Sequence, residues 1–125
     1  MNKPAILLAM GFFLSGLAWA DGAMKASHNG RMVEANNIRF ELVTSDKKVD
    51  VYITDHSDQP VGADKLSGRV TLLGEKGKVD VPLSPAGGNR LTGESGETIA
   101  GQPAAIILVE GMTKRITTRL AAGKP

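Results

Sequence analysis

Cysteine is absent from the 125-residue chain, which excludes disulfide bonds, thiolate metal ligands and a cysteine acceptor for lipid attachment. Aromatic residues are scarce: there are three Phe, one Tyr and one Trp, and of these only Phe40 and Tyr52 lie beyond residue 20. Charge of one sign is not in clear excess, because 15 Lys and Arg face 13 Asp and Glu. A nucleic-acid-binding protein that relies on bulk charge would need a basic face or stripe, and the near-neutral balance excludes that kind of binder.

The first 20 residues have the three parts of a secretory signal peptide. Lys3 supplies the charged start, residues 5–17 are apolar, and Ala18–Ala20 has the small-x-small pattern of a cleavage site. The apolar stretch is shorter than the roughly 20 residues that a membrane-spanning helix needs. We therefore expect cleavage before Asp21 and a periplasmic mature protein that is not inserted in a membrane. Without Lys3, the basic residues number 15 − 1 = 14 against 13 acidic ones, which is close to neutrality.

Composition divides the rest of the chain into three parts. Residues 21–29 are small and polar and show no periodicity, which predicts a flexible N-terminal arm. Residues 30–121 have the patterning of one β domain, and residues 122–125 form a short C-terminal tail. In the domain, Ile38, Phe40 and Leu42 alternate with Arg39 and Glu41. This alternation places apolar side chains on one face of a strand and charges on a solvent-facing side.

Further strands are indicated by apolar alternation or by apolar runs between turn residues. They fall near Val49–Ile53, Val70–Leu72, Val79–Leu83, Leu91, Ala104–Val109 and Thr113–Leu120. Pro82 faces outward, as is typical of an edge strand, whereas the consecutive Ile106, Ile107 and Leu108 favour a central strand that is covered on both sides. About seven short strands with regular turn signals predict an all-β fold, an immunoglobulin-like antiparallel β-sandwich.

Catalytic motifs are missing. Neither His has a Cys partner, no Gly-x-Ser-x-Gly sequence occurs, and no Gly-rich loop leads into a helical pattern. The carboxylates are spread singly along the solvent-facing sides of the predicted strands, a distribution that solubility alone explains. We therefore expect a protein that is not an enzyme.

One candidate metal site lies in the predicted arm. Met24, His28 and Met32 are spaced four residues apart, and thioether with imidazole is a ligand set that favours Cu(I) or Ag(I). The structural alternative is that Met32 packs within a strand, Met24 has no role, and His28 merely precedes an Asn29-Gly30 turn. The sequence leaves both interpretations open.

A second candidate metal site is the segment Asp55–Asp58, which directly follows a predicted strand. Two carboxylates and the His56 imidazole could hold Zn(II) or Cu(II), either alone or together with His28. The same residues also describe an ordinary polar turn, because Asp and Ser side chains accept hydrogen bonds from their own backbone. A strong site would require His28 and His56 to meet in space.

Part of the domain resembles a known family. The matching segments are Ser27–Glu34, Phe40–Val43, Val51–His56 and Gln59–Val61. They are similar to small periplasmic β-domains, including the N-terminal β-domains of the periplasmic adaptor subunits of heavy-metal efflux pumps of the resistance-nodulation-division class. In that family a His-Gly-Gly start precedes a Phe-Glu-Leu strand and a Tyr-x-x-Asp strand end. Here Asn29 stands in place of the first Gly.

The resemblance implies a periplasmic role in metal handling, with His28 as the residue carried over and metal-efflux components as partners. Together with the Met and His spacing, it predicts a protein that binds or buffers copper through His28, supported by Met24, Met32 and His56. The alternative is a metal-independent envelope module that binds a partner protein by strand addition at an open sheet edge.

Overall fold

The computed structural model describes residues 24–123; the predicted signal peptide, the start of the predicted arm and the last two residues lie outside this range. The described chain forms eight β-strands. They are β1 (Arg31–Ala35), β2 (Ile38–Ser45), β3 (Lys48–Asp55), β4 (Ser67–Gly74), β5 (Gly77–Pro85), β6 (Arg90–Glu94), β7 (Ala104–Glu110) and β8 (Ile116–Leu120). Within the described range, none of the chain forms a helix that is long and apolar enough to cross a membrane.

The eight strands form one continuous antiparallel sheet in the order β1-β2-β3-β6-β5-β4-β7-β8. Strand β5 connects two four-stranded halves: it pairs with β4 over most of its length and with β6 only at Ser84 and Pro85. We call β1-β2-β3-β6 the first half and β5-β4-β7-β8 the second half. The prediction of an all-β antiparallel fold is confirmed, with eight strands, while the immunoglobulin-like arrangement stays a prediction.

The sheet curls until its two end strands, β1 and β8, lie side by side. Arg31 at the start of β1 donates from Nη1 to the carbonyl oxygen of Ala121, just beyond β8, over 2.9 Å. Burial lowers the pKa of the Arg31 guanidinium, because a charged group loses hydration there. This contact bridges the two ends of the sheet.

The core fills the space between the two halves, and in most strands its members occupy every second position. Phe40 is the largest fully buried side chain, followed by Leu42, Ile53, Leu91 and Ile107. The predicted inward positions of β2 are therefore confirmed at Phe40 and Leu42. With so few aromatic residues, the core is built mainly from Val, Leu and Ile, which suit a pleated, well-paired sheet.

A two-residue turn separates β1 from β2, and the apolar alternation in the sequence does not indicate it. Asn36 and Asn37 have φ values of 54° and 64°, the left-handed conformation that a two-residue hairpin turn requires. Asn adopts it more readily than most residues because its short side chain bonds locally. The turn fixes the register of β1 on β2, so that Met32 lies opposite Glu41 and Glu34 opposite Arg39.

Two details of the predicted strands are wrong. Pro82 is exposed, but β5 is an internal strand and not an edge strand, because it pairs with β4 on one side and with β6 at its end. Strand β7 is central as predicted but is covered on one side only: Ile107 is buried, whereas Ile106 and Leu108 are half-buried. The apolar run in β7 therefore does not show that both faces of the strand are covered.

Replacing Phe40 by Ala should lower the free energy of unfolding by about 3–5 kcal/mol, because it removes the largest side chain of the core and leaves a cavity. Denaturant unfolding measures this value. Thr117→Ala, at an exposed position of β8, is the control and should change stability by no more than about 0.5 kcal/mol. A loss below about 1 kcal/mol for Phe40→Ala would contradict the assignment.

Gly93 allows β6 to approach β5 closely where the two halves meet. A Cβ atom at this position would lie 2.9 Å from Cγ1 of Val81 and closer still to the carbonyl oxygen of Pro82. We expect Gly93→Ala to destabilise the fold by about 1–3 kcal/mol through overpacking. The matched control is Gly96→Ala, where a Cβ atom would meet nothing within 4 Å; equal thermal melting of the two variants would refute the close approach.

Candidate functional site

The outer face of the first half carries two adjacent rows of cross-strand neighbours. Met32, Glu41 and Tyr52 form one row across β1, β2 and β3, and Glu34, Arg39 and Thr54 form the next. Side chains directly opposite each other in an antiparallel sheet lie on the same face. The register therefore brings these six residues together, although they are spread over 23 positions of the chain.

Arg39 and Glu41 were expected on a solvent-facing side of β2, and that expectation is wrong. Arg39 is 8% exposed and Glu41 is 4% exposed. Their face is not open to water, because the residues before β1 bond to Glu41 and the loop after β3 bonds to Arg39 through Asp58. Buried charges must be compensated by partners, and each of the two residues has several.

The Glu41 carboxylate accepts hydrogen bonds from the chain segment that precedes β1. Its Oε2 atom accepts hydrogen bonds of 2.8 Å from the backbone N–H groups of His28 and Gly30, and its Oε1 atom accepts one of 3.2 Å from that of Ser27. Residues 27–30 are therefore anchored on the sheet at the carboxyl end of the predicted flexible arm. Asn29, with a φ of 60°, lets the chain turn between these donors.

The His28 ring is fixed by two contacts. Its Nδ1 atom lies 3.0 Å from Oε1 of Glu41, and its ring stacks on that of Tyr52 with centroids 3.6 Å apart and planes within 7° of each other. An ionised carboxylate only accepts hydrogen bonds, so Nδ1 carries the hydrogen. The side chain is still 42% exposed, and the Nε2 atom remains as the ring position for another ligand.

Hydrogen bonds set the ionisation of Glu41. Burial by itself would raise the pKa of this carboxyl, but the hydrogen bonds from the His28 ring and from the backbone N–H groups of Gly30 and His28 outweigh it. The pKa is therefore held below its ordinary value, because the donors stabilise the ionised form. At neutral pH the site contains a buried negative charge whose oxygen atoms already have partners.

The neighbouring row forms a second charged cluster. Arg39 donates from Nε to Oε1 of Glu34 over 3.0 Å and from Nη1 to Oδ1 of Asp58 over 2.6 Å. His56 contacts Oε2 of Glu34 through Nδ1, also over 3.0 Å. The hydrogen bonds from Arg39 and His56 lower the pKa of the Glu34 carboxyl. This cluster ties the loop after β3 to strands β1 and β2.

The polar-turn interpretation of Asp55–Asp58 is confirmed. Oδ1 of Asp55 accepts hydrogen bonds from the backbone N–H groups of Ser57 and Gln59, at 2.8 and 3.0 Å. His56 is 66% exposed in its side chain and is bonded to Glu34, whereas His28 is bonded to Glu41. Within residues 24–123, His, Cys, Asp and Glu form no group of three that could hold a metal ion.

The predicted ligands occupy different places. His28 and Met32 both flank Glu41, since Met32 lies opposite Glu41 on β1 and points to the same face. Met24 is half-buried in the segment just before the anchored residues, and His56 belongs to the neighbouring cluster. Sequence reasoning missed Glu41 and Tyr52 as partners of His28, because no local signal shows which strand residue a preceding segment will meet.

The Glu41→Gln variant should be less stable than the wild type by about 1–3 kcal/mol at pH 7, because the buried backbone donors lose an ionised acceptor. Since the pKa of Glu41 is lower in the folded state, its contribution to stability is fully present above the ordinary value of 4.5 and is lost as pH falls through the folded value. The difference between the two proteins should therefore shrink in acid. Urea unfolding at a series of pH values measures it.

The control for this variant is Glu110→Gln, which makes the same chemical change at an exposed carboxylate paired with Arg115. We expect its effect to stay within about 0.5 kcal/mol. If both variants had the same dependence of stability on pH, the carboxylate of Glu41 would not anchor the segment before β1.

Comparison of the chain with protein-family models, with curated proteins and with solved structures gave no match. The resemblance to periplasmic adaptor domains therefore stays a prediction from the segments that carry it. The function has to be argued from the chemistry of the face that holds His28, Glu41 and Tyr52.

Proposed function

We propose that this is an exported, non-enzymatic periplasmic protein that binds or buffers a soft transition metal, copper in the Cu(I) state, in support of metal efflux. The observation that carries the proposal is the His28 ring, held by Glu41 through Nδ1 and stacked on Tyr52. His residues that ligate metals commonly donate their other ring N–H to a carboxylate, which fixes the tautomer and directs the free nitrogen at the ion.

The available donors favour a soft ion over a hard one. Both oxygens of Glu41 accept hydrogen bonds, as do both oxygens of Glu34, so these carboxylates are poor candidates for ligands. Among the described residues of this face, the soft or nitrogen donors are the Nε2 atom of His28 and the thioether of Met32, with Met24 a few residues before them. Imidazole with thioether suits Cu(I), whereas Zn(II) in proteins takes three or four N, O or thiolate ligands.

Each residue then has a distinct role. His28 and Met32 are the proposed ligands, and Met24 completes the set from the preceding segment. Glu41 and Tyr52 act on the ion only through the orientation of the His28 ring. His56 is left outside the ligand set, because it is bonded to Glu34 in the neighbouring cluster.

Calorimetric titration of the purified protein with Cu(I) under anaerobic, reducing conditions, and with Cu(II) and Zn(II) in parallel, tests the proposal. We expect Cu(I) to bind most tightly. His28→Ala and Met32→Leu should each weaken Cu(I) binding by at least about tenfold, a loss on the scale reported for disturbed metal sites. Met32→Leu is the sharper variant, since it removes the sulfur and nearly conserves side-chain volume.

His56→Ala is the matched control, because it removes the other imidazole of the chain and should leave Cu(I) affinity unchanged. Thermal melting of each variant checks that the fold is retained. Cu(I) affinity unaffected by both His28→Ala and Met32→Leu would reject the site, and a protein that takes up no Cu(I) would reject the function.

A further inference from the structure

The segment that Glu41 anchors contains the only Asn-Gly pair of the chain, Asn29-Gly30. Asn followed by Gly is the pair most prone to spontaneous deamidation, because Gly has no side chain to hinder attack of its backbone nitrogen on the Asn side chain. Asn29 is exposed, so water can reach its side-chain amide. The pair is therefore a candidate modification site, and its chemistry is separate from metal binding.

The local structure favours this pair at this place. Asn29 has a φ of 60°, the left-handed conformation that Gly, Asn and Asp adopt more readily than other residues. At Gly30, a Cβ atom would lie 2.5 Å from the carbonyl oxygen of Leu42 and 2.8 Å from Cγ2 of Val43. A larger residue at position 30 would slow the attack, but it would also push the segment away from β2.

Deamidation begins at the backbone nitrogen of Gly30. This nitrogen forms a bond to Cγ of Asn29, and its proton passes through water to the side-chain amide, which leaves as ammonia. The product is a succinimide ring. Water then opens the ring at either carbonyl and gives aspartate or isoaspartate, so the net reaction consumes one water and releases one ammonia. In isoaspartate the backbone continues through Cγ and is one carbon longer.

Glu41 binds the group on which this reaction depends. The backbone N–H of Gly30 donates to Oε2 of Glu41 over 2.8 Å. A nitrogen that has entered the succinimide ring has no hydrogen left to donate, so this hydrogen bond and the ring exclude each other. The ionised carboxylate also disfavours loss of the amide proton, because negative charge would develop next to an existing negative charge.

We propose that Asn29-Gly30 is a site of spontaneous deamidation that the Glu41 carboxylate protects while residues 27–30 are anchored on the sheet. Modification then requires local opening of this segment. The products disfavour its return: both add a negative charge to a segment that a carboxylate has to hold, and isoaspartate lengthens the chain between the N–H groups of His28 and Gly30, which share Oε2. Deamidation therefore makes a reversible release permanent, with or without a bound metal.

Mass spectrometry of the peptide that contains residue 29, after incubation of the purified protein at neutral pH for increasing times, tests this protection. Deamidation of Asn29 should be at least about tenfold slower in the folded protein than in the same chain unfolded in urea, because a hydrogen bond to a charged acceptor has to open first. Glu41→Met removes both acceptor oxygens and should abolish most of this difference. Glu41→Gln keeps one neutral acceptor and should give an intermediate rate.

Two controls separate this local effect from a general loss of stability. Gly93→Ala destabilises the fold where β5 and β6 approach each other, and Glu110→Met makes the same chemical change at an exposed carboxylate. Both should leave the rate at Asn29 at the wild-type value, and thermal melting checks that each variant is folded.

A wild type that deamidates at Asn29 as fast as the unfolded chain would overturn the proposal. So would Gly93→Ala accelerating the reaction as much as Glu41→Met, because general unfolding would then control it. If Glu41→Met does not fold, Glu41→Gln decides: a folded Glu41→Gln protein that deamidates no faster than the wild type would reject the protective role of the carboxylate.

Discussion

A buried carboxylate needs hydrogen-bond partners, and the first half of the sheet provides them for Glu41. Glu41 lies in the middle of β2, 4% exposed, and its two oxygen atoms collect three backbone N–H groups and the His28 ring. Because an uncompensated buried charge is costly, the ionised Glu41 side chain favours the position in which the segment before β1 is bound to the sheet. The same contacts that neutralise Glu41 also orient His28, so the stability of this face and the chemistry of the site are linked.

The two histidines of the chain make the same kind of contact at neighbouring rows of the outer face. Each bonds a carboxylate of β1 or β2 through Nδ1, and each belongs to a segment that packs onto the sheet from outside it. Their surroundings differ: His28 faces Tyr52 and Met32, whereas His56 shares Glu34 with the guanidinium of Arg39. The second imidazole therefore shares its carboxylate with a positive charge, whereas the described contacts of the first include none.

The two halves of the sheet share a core and differ on their outer faces. The first half carries polar rows that are covered by neighbouring segments, and the second half turns the half-buried Leu73, Ile106 and Leu108 outward next to the exposed Arg69. Strand β5 connects the halves and belongs to both through its two partners. Changes on one outer face therefore need not disturb the other.

The sequence by itself determined the β class and the inward positions of β2, because a period of two and the turn residues are local properties. It also predicted His28 and Met32 as metal ligands from their spacing in one segment, which stays a prediction. Only the tertiary structure decided that Arg39 and Glu41 are buried, that Pro82 lies in an internal strand, and that His28 meets Glu41 and Tyr52. These facts depend on strand register and on which segment covers which face, and residues 13 to 24 positions apart in the chain carry no local sign of such contacts.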